Sequence, residues 1–253
     1  MHEVRPYAQN ILQLHSQFRA AGVSDADQVY LAGAHRMAAA LFSGQIRGSG
    51  KPFLEHLVGT ASILVSCQTP APLVAAGLLH AAYDAGDFGL GVLGRHRHRK
   101  SEIVRTVGAD AEDYIWRYHG LRWTTESLPS LAAAVGTLPA RDRSVVLIRL
   151  ANELEEHLDC GIQFCANGAQ RMARVASLGP LFVEMAQTIG QPGLADELSA
   201  AFAENCTTPI PDELRSTTSY SFLEPPRSYG RRWTVRLRSY AAGLAARTTA
   251  AQR

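Results

Sequence analysis

The sequence predicts an all-α protein, and three of its features favour this class. Apolar residues recur at helical spacing through most of the chain, capping residues and glycines bound these runs, and no segment alternates apolar and polar residues over the length of a strand. The composition, 46% hydrophobic and 19% charged over 253 residues, is typical of a globular protein with a sizeable core.

The first third of the chain divides into four predicted helices. Apolar residues from Ile11 to Phe18 follow the period of the first helix, and Ser24 in the stretch SDAD is a predicted N-terminal cap for the second. The glycine-rich loop SGQIRGSGKP precedes the third helix, and QTPAP ends it. The predicted ranges are 7–21, 24–42, 53–67 and 73–84.

The remainder is predicted to be helices joined by loops. The stretch GDFGLGVLGRHRHRKS is interpreted as a loop with a solvated basic cluster, and further helices are expected over 111–123, 143–160 and 168–190. Beyond residue 190, short helix alternates with proline-rich loop, and RRWTVRLR near the end is expected to pack Trp233 on the core. We therefore predict a helical domain over 1–190 and a C-terminal helical and loop extension over 191–253, packed on the same core.

Bulk properties argue against several classes of partner. The net charge of +2 does not favour nucleic acid, and no apolar run reaches the roughly 18 residues of a membrane span. The N-terminal residues show no apolar targeting segment, so a cytoplasmic location is expected. Four cysteines in a chain of this length do not predict a disulfide scaffold, and Cys160 and Cys165 have no second pair with which to close a zinc site.

Three segments carry polar residues suited to chemistry. The first runs from Arg47 through GSGKPFLEHLVGTASIL and contains Lys51 and His56; the second, LVAAGLLHAAYDAGD, contains His80; the third, VVLIRLANELEEHL, contains Asn152. His80 follows His56 by 24 residues, and Arg47 precedes His56 by nine.

This order and spacing resemble the HD-domain superfamily of metal-dependent phosphohydrolases, and most nearly the hydrolase domain that degrades the alarmone (p)ppGpp. The pattern LLHAAY is also similar to that of an uncharacterised bacterial HD-like group. The resemblance covers roughly residues 31–159 and implies an HD-like helical bundle.

Departures from the family pattern fall on its metal ligands. The family holds its ion with a His, a His-Asp pair and a later Asp, and here the two aspartates are replaced by Ala81 and Asn152. Neither residue supplies an anionic oxygen, which hard divalent ions prefer. We therefore predict a degenerate metal site and expect no cofactor. The alternative is a divalent metal at a rearranged site made of His56, His80, Asp84 and Asn152.

Acid–base groups remain in the predicted pocket. On one continuous helix, His80, Tyr83 and Asp84 would share a face, with His80 moving a proton, Asp84 fixing its tautomer and Tyr83 donating. His56 is predicted to face the same pocket as a fourth catalytic residue. The structural alternative is that the histidines are buried and satisfied by hydrogen bonds.

Ligand binding is predicted for Arg47, Lys51 and Asn152. In the family the residue matching Arg47 stacks on a nucleotide base, and its planar guanidinium would suit an anionic or aromatic group here. The glutamates that follow Asn152, at 153, 155 and 156, are interpreted as a solvated acidic face, although one of them could rebuild a metal site.

The function predicted is that of a small-molecule enzyme with an HD fold, using acid–base residues. The 23 Arg against 2 Lys are typical of a GC-rich bacterial genome, which concerns the source and not the chemistry. As a separate expectation, the enzyme is assigned to bacterial specialised metabolism. Hydrolysis, elimination, isomerisation and cyclisation all use such groups, so the reaction class stays open, as does the oligomeric state. Two alternatives are a metal-dependent phosphohydrolase of a nucleotide such as (p)ppGpp, and a non-catalytic module that binds a ligand or partner.

Overall fold

Helices make up most of the chain in the computed structural model, which describes residues 7–89 and 94–223. The all-α prediction is confirmed. The first five helices are α1 (Ile11–Ala20), α2 (Asp25–Leu41), α3 (Phe53–Ser66), α4 (Ala71–Leu79) and α5 (Ala82–Ala85). The next five are α6 (Arg97–Gly120), α7 (Leu128–Ala134), α8 (Ala140–His157), α9 (Gly168–Thr188) and α10 (Pro192–Thr207).

The two most apolar helices, α3 and α4, lie at the centre of the bundle. Helix α3 packs against α4 and α8, and α4 packs against α2 and α6. Both helices bury residues on every face, which is why their sequences show little amphipathic alternation. The predicted cap at the start of α2 is confirmed, because the Ser24 hydroxyl accepts a hydrogen bond from the Asp27 amide at 3.1 Å.

The predicted helix over 73–84 is not continuous. Helix α4 ends at Leu79, a turn follows at His80 and Ala81, and the short α5 begins at Ala82. Ala81 has a φ of −90° and a ψ of 7°, outside the helical range, so the chain changes direction there. Residues 80, 83 and 84 therefore do not share one helical face, and this prediction was wrong.

The basic cluster at 95–100 is not a loop throughout, because helix α6 begins within it, at Arg97. Residues 96, 97, 98 and 100 are exposed, as expected, but Arg99 is 2% exposed, with its guanidinium 4.7 Å from the centre of the Phe88 ring. The weak hydration of a guanidinium and its affinity for aromatic faces allow this burial. Helix α6 is interrupted at Gly108, whose φ of 78° is in the left-handed region that glycine favours.

The later helices pack beside this centre. Helix α8 is followed by a 3-10 segment (Leu158–Phe164), and α10 packs against α9 and α8. Two strands were not expected from the sequence: β1 (Gln45–Ile46) pairs antiparallel with β2 (Phe222–Leu223), which brings residues beyond 191 onto the loop before α3.

The RRWTVRLR stretch at 231–238 lies outside the described residues. Among the helices that the structure describes, none combines the length and apolar character needed to cross a membrane.

Candidate functional site

The two histidines predicted to share a pocket meet in the core. His56 lies on α3 and His80 follows α4, and their ring centroids are 5.3 Å apart in an edge-to-face arrangement. The two residues are 0% and 2% exposed. The helices thus bring the pair together, but both rings are shut off from solvent.

Hydrogen bonds fix the tautomer of each histidine. Nδ1 of His56 contacts the carboxylate of Glu155, and Nδ1 of His80 donates to the Gly77 carbonyl oxygen at 2.8 Å. Because both partners are acceptors, each Nδ1 carries the hydrogen and each Nε2 is left with a lone pair. Within the described part of the chain, the buried Nε2 of His56 has no hydrogen-bond partner.

Both imidazoles are held in the neutral form. Burial lowers the pKa of His56, and Arg47 lowers it further against the opposing effect of Glu155. Burial, with the neighbouring His56 and the Arg149 guanidinium, holds the pKa of His80 well below its usual value. At neutral pH neither ring adds charge to the site.

Asn152 lies close to the pair, with both ends of its amide engaged. Its Oδ1 accepts from the Tyr118 hydroxyl at 2.9 Å, and its Nδ2 donates to Glu156 Oε1 at 3.1 Å. The Tyr118 ring lies 4.9 Å from that of His80, and its hydroxyl accepts from Arg149 at 2.7 Å. A guanidinium therefore lies close to the place where the resemblance would put a metal ion.

Tyr83 and Asp84 lie away from this group. The Tyr83 hydroxyl donates to Glu112 at 2.7 Å, and the same carboxylate accepts two hydrogen bonds from Arg95. Asp84 is about half exposed and contacts Nδ1 of His119 at 2.5 Å. The break after α4 turns both side chains toward α6, so the predicted cluster of His80, Tyr83 and Asp84 is not formed.

The acidic run on α8 is not a solvated face, contrary to the sequence interpretation. The side chains of Glu153 and Glu155 are 3% and 1% exposed, and that of Glu156 is 11% exposed. Each is paired with cations, which compensate the cost of burying a carboxylate. Glu153 accepts from Arg149 at 2.9 Å and from the Trp123 indole at 2.8 Å.

Glu155 and Glu156 join distant parts of the chain. Glu155 contacts Lys51 with one oxygen and His56 with the other. Glu156 accepts from Arg47 at 2.5 Å with one oxygen and contacts Arg171 with the other. The two glutamates therefore hold the 47–51 loop and α9 against α8.

A glycine on α3 makes the approach of Glu155 possible. A Cβ atom added at Gly59 would lie 2.7 Å from Cγ of Glu155, closer than atoms pack without displacement. A larger residue at 59 would push the carboxylate away from Lys51 and His56, since α3 and α8 are packed together here.

A hydrogen-bond donor and nearby cations determine the ionisation of the two glutamates. Burial alone raises the pKa of Glu155, but the hydrogen bond from the neutral His56 ring and the Lys51 ammonium outweigh it and hold the pKa below its usual value. Burial likewise opposes ionisation of Glu156, yet Arg47, Arg171 and Arg149 hold its pKa well below the usual range. Both carboxylates are negative at neutral pH for as long as those cations stay beside them.

A cavity of about 480 Å³ opens beside these ion pairs. It is lined by charged side chains of the 47–51 loop, α8 and α9, by residues of the 3-10 segment after α8, and by the chain near residue 220. Its charged lining residues are Arg47, Lys51, Glu155, Glu156, Asp159 and Arg171. His56, His80 and Asn152 are not among the residues that line it, so they lie behind the carboxylates.

Of the residues predicted to bind a ligand, Arg47 and Lys51 line this cavity. The sequence reasoning missed Arg171, Glu155 and Glu156 as cavity residues. One signal was present, because residues 152, 155 and 156 are three and four positions apart and share a helical face with the predicted site residue Asn152. Arg171 has no such signal, since only the packing of α9 brings it to the cavity.

The donor set does not fit the divalent metal of the resembled family. Two imidazoles with hydrogen-bonded Nδ1 atoms are typical of metal-binding histidines. The further ligands are unsuited: Ala81 offers no side-chain donor, the amide of Asn152 is engaged at both ends, and Arg149 places positive charge nearby. Over residues 7–89 and 94–223, no group of three or more His, Cys, Asp and Glu side chains is arranged to hold a metal ion.

Comparisons with known proteins give a family model for part of the chain and similar solved structures. The family described as a domain of unknown function (DUF6817) matches residues 38–122, the segment that contains both histidines. No curated protein matches the chain. Among solved structures, one reported as a metazoan ortholog of SpoT that hydrolyses ppGpp is similar, with 17% sequence identity and a TM-score of 0.49 over 69% of this chain and 94% of that one.

Proposed function

We propose that the protein is a small-molecule enzyme that binds an anionic substrate in the 480 Å³ cavity and transfers a proton there through Glu155. The observation that carries this proposal is the difference in exposure between the cations around the cavity and the carboxylates paired with them. The side chains of Arg47, Lys51 and Arg171 are 18%, 26% and 29% exposed, whereas their partners Glu155 and Glu156 are 1% and 11% exposed.

In each of these ion pairs the cation is therefore the member more exposed to the cavity, and the glutamate lies deeper in the cavity wall. An anion that enters meets two guanidinium groups and an ammonium group, which are suited to carboxylate or phosphate oxygens. Asp159 also lines the cavity and favours a ligand with hydroxyl or amino groups in addition to its anionic group.

Substrate binding would activate Glu155. When an anion draws Lys51 away, the buried carboxylate keeps His56 as a partner but loses its ammonium counterion, and burial then favours uptake of a proton. Glu155 would thus become a general base that faces the substrate, with His56 holding it in place. In this proposal His80, Tyr83 and Asp84 have no catalytic role, because the first lies behind the carboxylates and the others contact α6.

We further propose that residues 1–190 form the helical domain and that the following extension completes the cavity wall.

A non-catalytic binding module is the main alternative to an enzyme, since the same cavity would bind its ligand. A metal-dependent phosphohydrolase is less well supported, because its replacement ligands Glu153 and Glu156 are already paired with arginines.

Glu155→Gln tests proton transfer directly. Gln keeps the shape of the side chain but cannot accept the proton, so the variant should keep the substrate through purification, and mass spectrometry of the released small molecules should identify it. Wild-type protein, when added to that molecule, should consume it at a rate at least about 100-fold above that of the variant. Equal persistence of the molecule with both proteins would contradict an enzymatic role and favour the binding module.

A further inference from the structure

The cavity is closed on one side by a segment that is weakly attached to the rest of the fold. We define the strap as residues 216–223. Ser219, Tyr220 and Ser221 of the strap line the cavity. Any ligand that fills the cavity therefore contacts the strap, and no feature of the sequence singled it out.

Backbone hydrogen bonds make most of the attachment. The Ser216 amide donates to the Phe164 carbonyl at 2.7 Å, and the Ala166 amide donates to the Thr218 carbonyl at 3.2 Å. At its end, β2 pairs with β1 through Phe222 and Leu223. The strap thus lies along the 3-10 segment on one side and the 47–51 loop on the other.

Side chains of the strap contribute little burial. Tyr220 is 75% exposed, Leu223 is 53% exposed and Phe222 is 38% exposed. No residue of the strap is buried. Segments with few buried apolar contacts and solvent-exposed backbone hydrogen bonds open locally at low free-energy cost, without unfolding the core.

Gly48 is the position that lets the strap dock. A Cβ atom at residue 48 would lie 2.9 Å from the Ser219 carbonyl carbon and 3.1 Å from the Tyr220 amide nitrogen. These are backbone atoms, which cannot turn aside as a flexible side chain can. Because the φ of Gly48 is not in the left-handed region, an alanine there would displace the strap without straining its own backbone.

We propose that the strap is a gate: it opens to admit the ligand to the cavity and closes over it, and its docking depends on the absence of a side chain at residue 48. The inference rests on the proposed function only in taking the cavity as the ligand site. Both readouts below are made without ligand, so a failure of the gate is distinguishable from a failure to bind or convert an anion.

Cys165 reports on access to the cavity. It lines the cavity and is 3% exposed, whereas Cys160 is 5% exposed and is not among the lining residues. Alkylation by iodoacetamide, followed by peptide mass spectrometry, measures both thiols in one sample. We expect Gly48→Ala to speed the labelling of Cys165 by about tenfold or more and to leave Cys160 unchanged. Gly120→Ala is the matched control, since nothing lies within 4 Å of its added Cβ.

Amide hydrogen exchange provides the second readout. In the wild-type protein, Ser216 and Ala166 should exchange through local opening, faster than the amides of α3, and Gly48→Ala should speed them by a further tenfold or so. The proposal is overturned if the wild-type Ser216 amide exchanges no faster than the amides of α3. It is also overturned if Gly48→Ala leaves the labelling rate of Cys165 unchanged. Equal acceleration of Cys165 and Cys160 would also overturn it, because that would be general unfolding.

Discussion

We expect Glu156→Gln to lower the free energy of unfolding by about 3 kcal/mol or more, the lower end of the range for breaking a buried ion pair. The Glu156 carboxylate binds Arg47 with one oxygen and Arg171 with the other, and it also accepts from the Asn152 amide. Gln has the same shape but no charge, so two largely buried guanidinium groups would lose their counterion.

Urea unfolding at neutral pH measures this loss. The control is Glu126→Gln, which removes a carboxylate from an exposed position and should change stability by less than about 0.5 kcal/mol. If Glu156→Gln unfolds at the same urea concentration as its control, the ion pairs beside the cavity do not stabilise the fold. That result would contradict the proposed role of the buried glutamates in holding Arg47 and Arg171 at the cavity.

Stability should also fall as the pH is lowered from 7.5 to 5.5. His56, His80 and His157 are buried, and burial lowers the pKa of each below its usual value. The unfolded chain binds protons at these residues below a pH of about 6.5, whereas the folded protein does not. Each histidine therefore lowers the stability by up to about 1.4 kcal/mol per pH unit below that value.

His157 allows the contribution of one buried histidine to the pH dependence of stability to be measured. Within the described part of the chain, neither of its ring nitrogens has a hydrogen-bond partner, and the ring packs 4.9 Å from that of Phe202. His157→Leu removes one titrating group from the core and should reduce the slope of unfolding free energy against pH, whereas His98→Leu, at an exposed residue, should not. A wild-type stability that stays flat between pH 7.5 and 5.5 would show that the buried histidines gain protons without opening the fold.

Local sequence patterns predicted the helices well because those patterns act over short distances. The cap at Ser24 and the apolar runs of α3 and α4 depend on neighbouring residues alone, and the structure confirms them. The meeting of His56 and His80 was also predictable, because the resemblance rests on their spacing of 24 residues.

The site itself depends on partners that are distant in the chain. Glu155 and Glu156 were interpreted as solvated because the cations that allow their burial come from residues 47, 51 and 171. The turn at Ala81 has no glycine or proline to signal it, so the separation of Tyr83 from His80 could not be read from the helical period. The strap reaches the cavity through backbone contacts, which leave no side-chain pattern.

The cavity should bind an anion through its own cations and without a metal ion. Calorimetric titration with inorganic pyrophosphate in the presence of EDTA measures such binding. We expect saturable 1:1 binding to the wild-type protein. Arg171→Met should weaken it about tenfold or more through loss of a charge-assisted hydrogen bond, and Arg141→Met, which alters an exposed arginine bound to Asp110, should leave it unchanged. Binding heat that appears only after Mn²⁺ is added, or equal affinity in the wild type and Arg171→Met, would contradict this expectation.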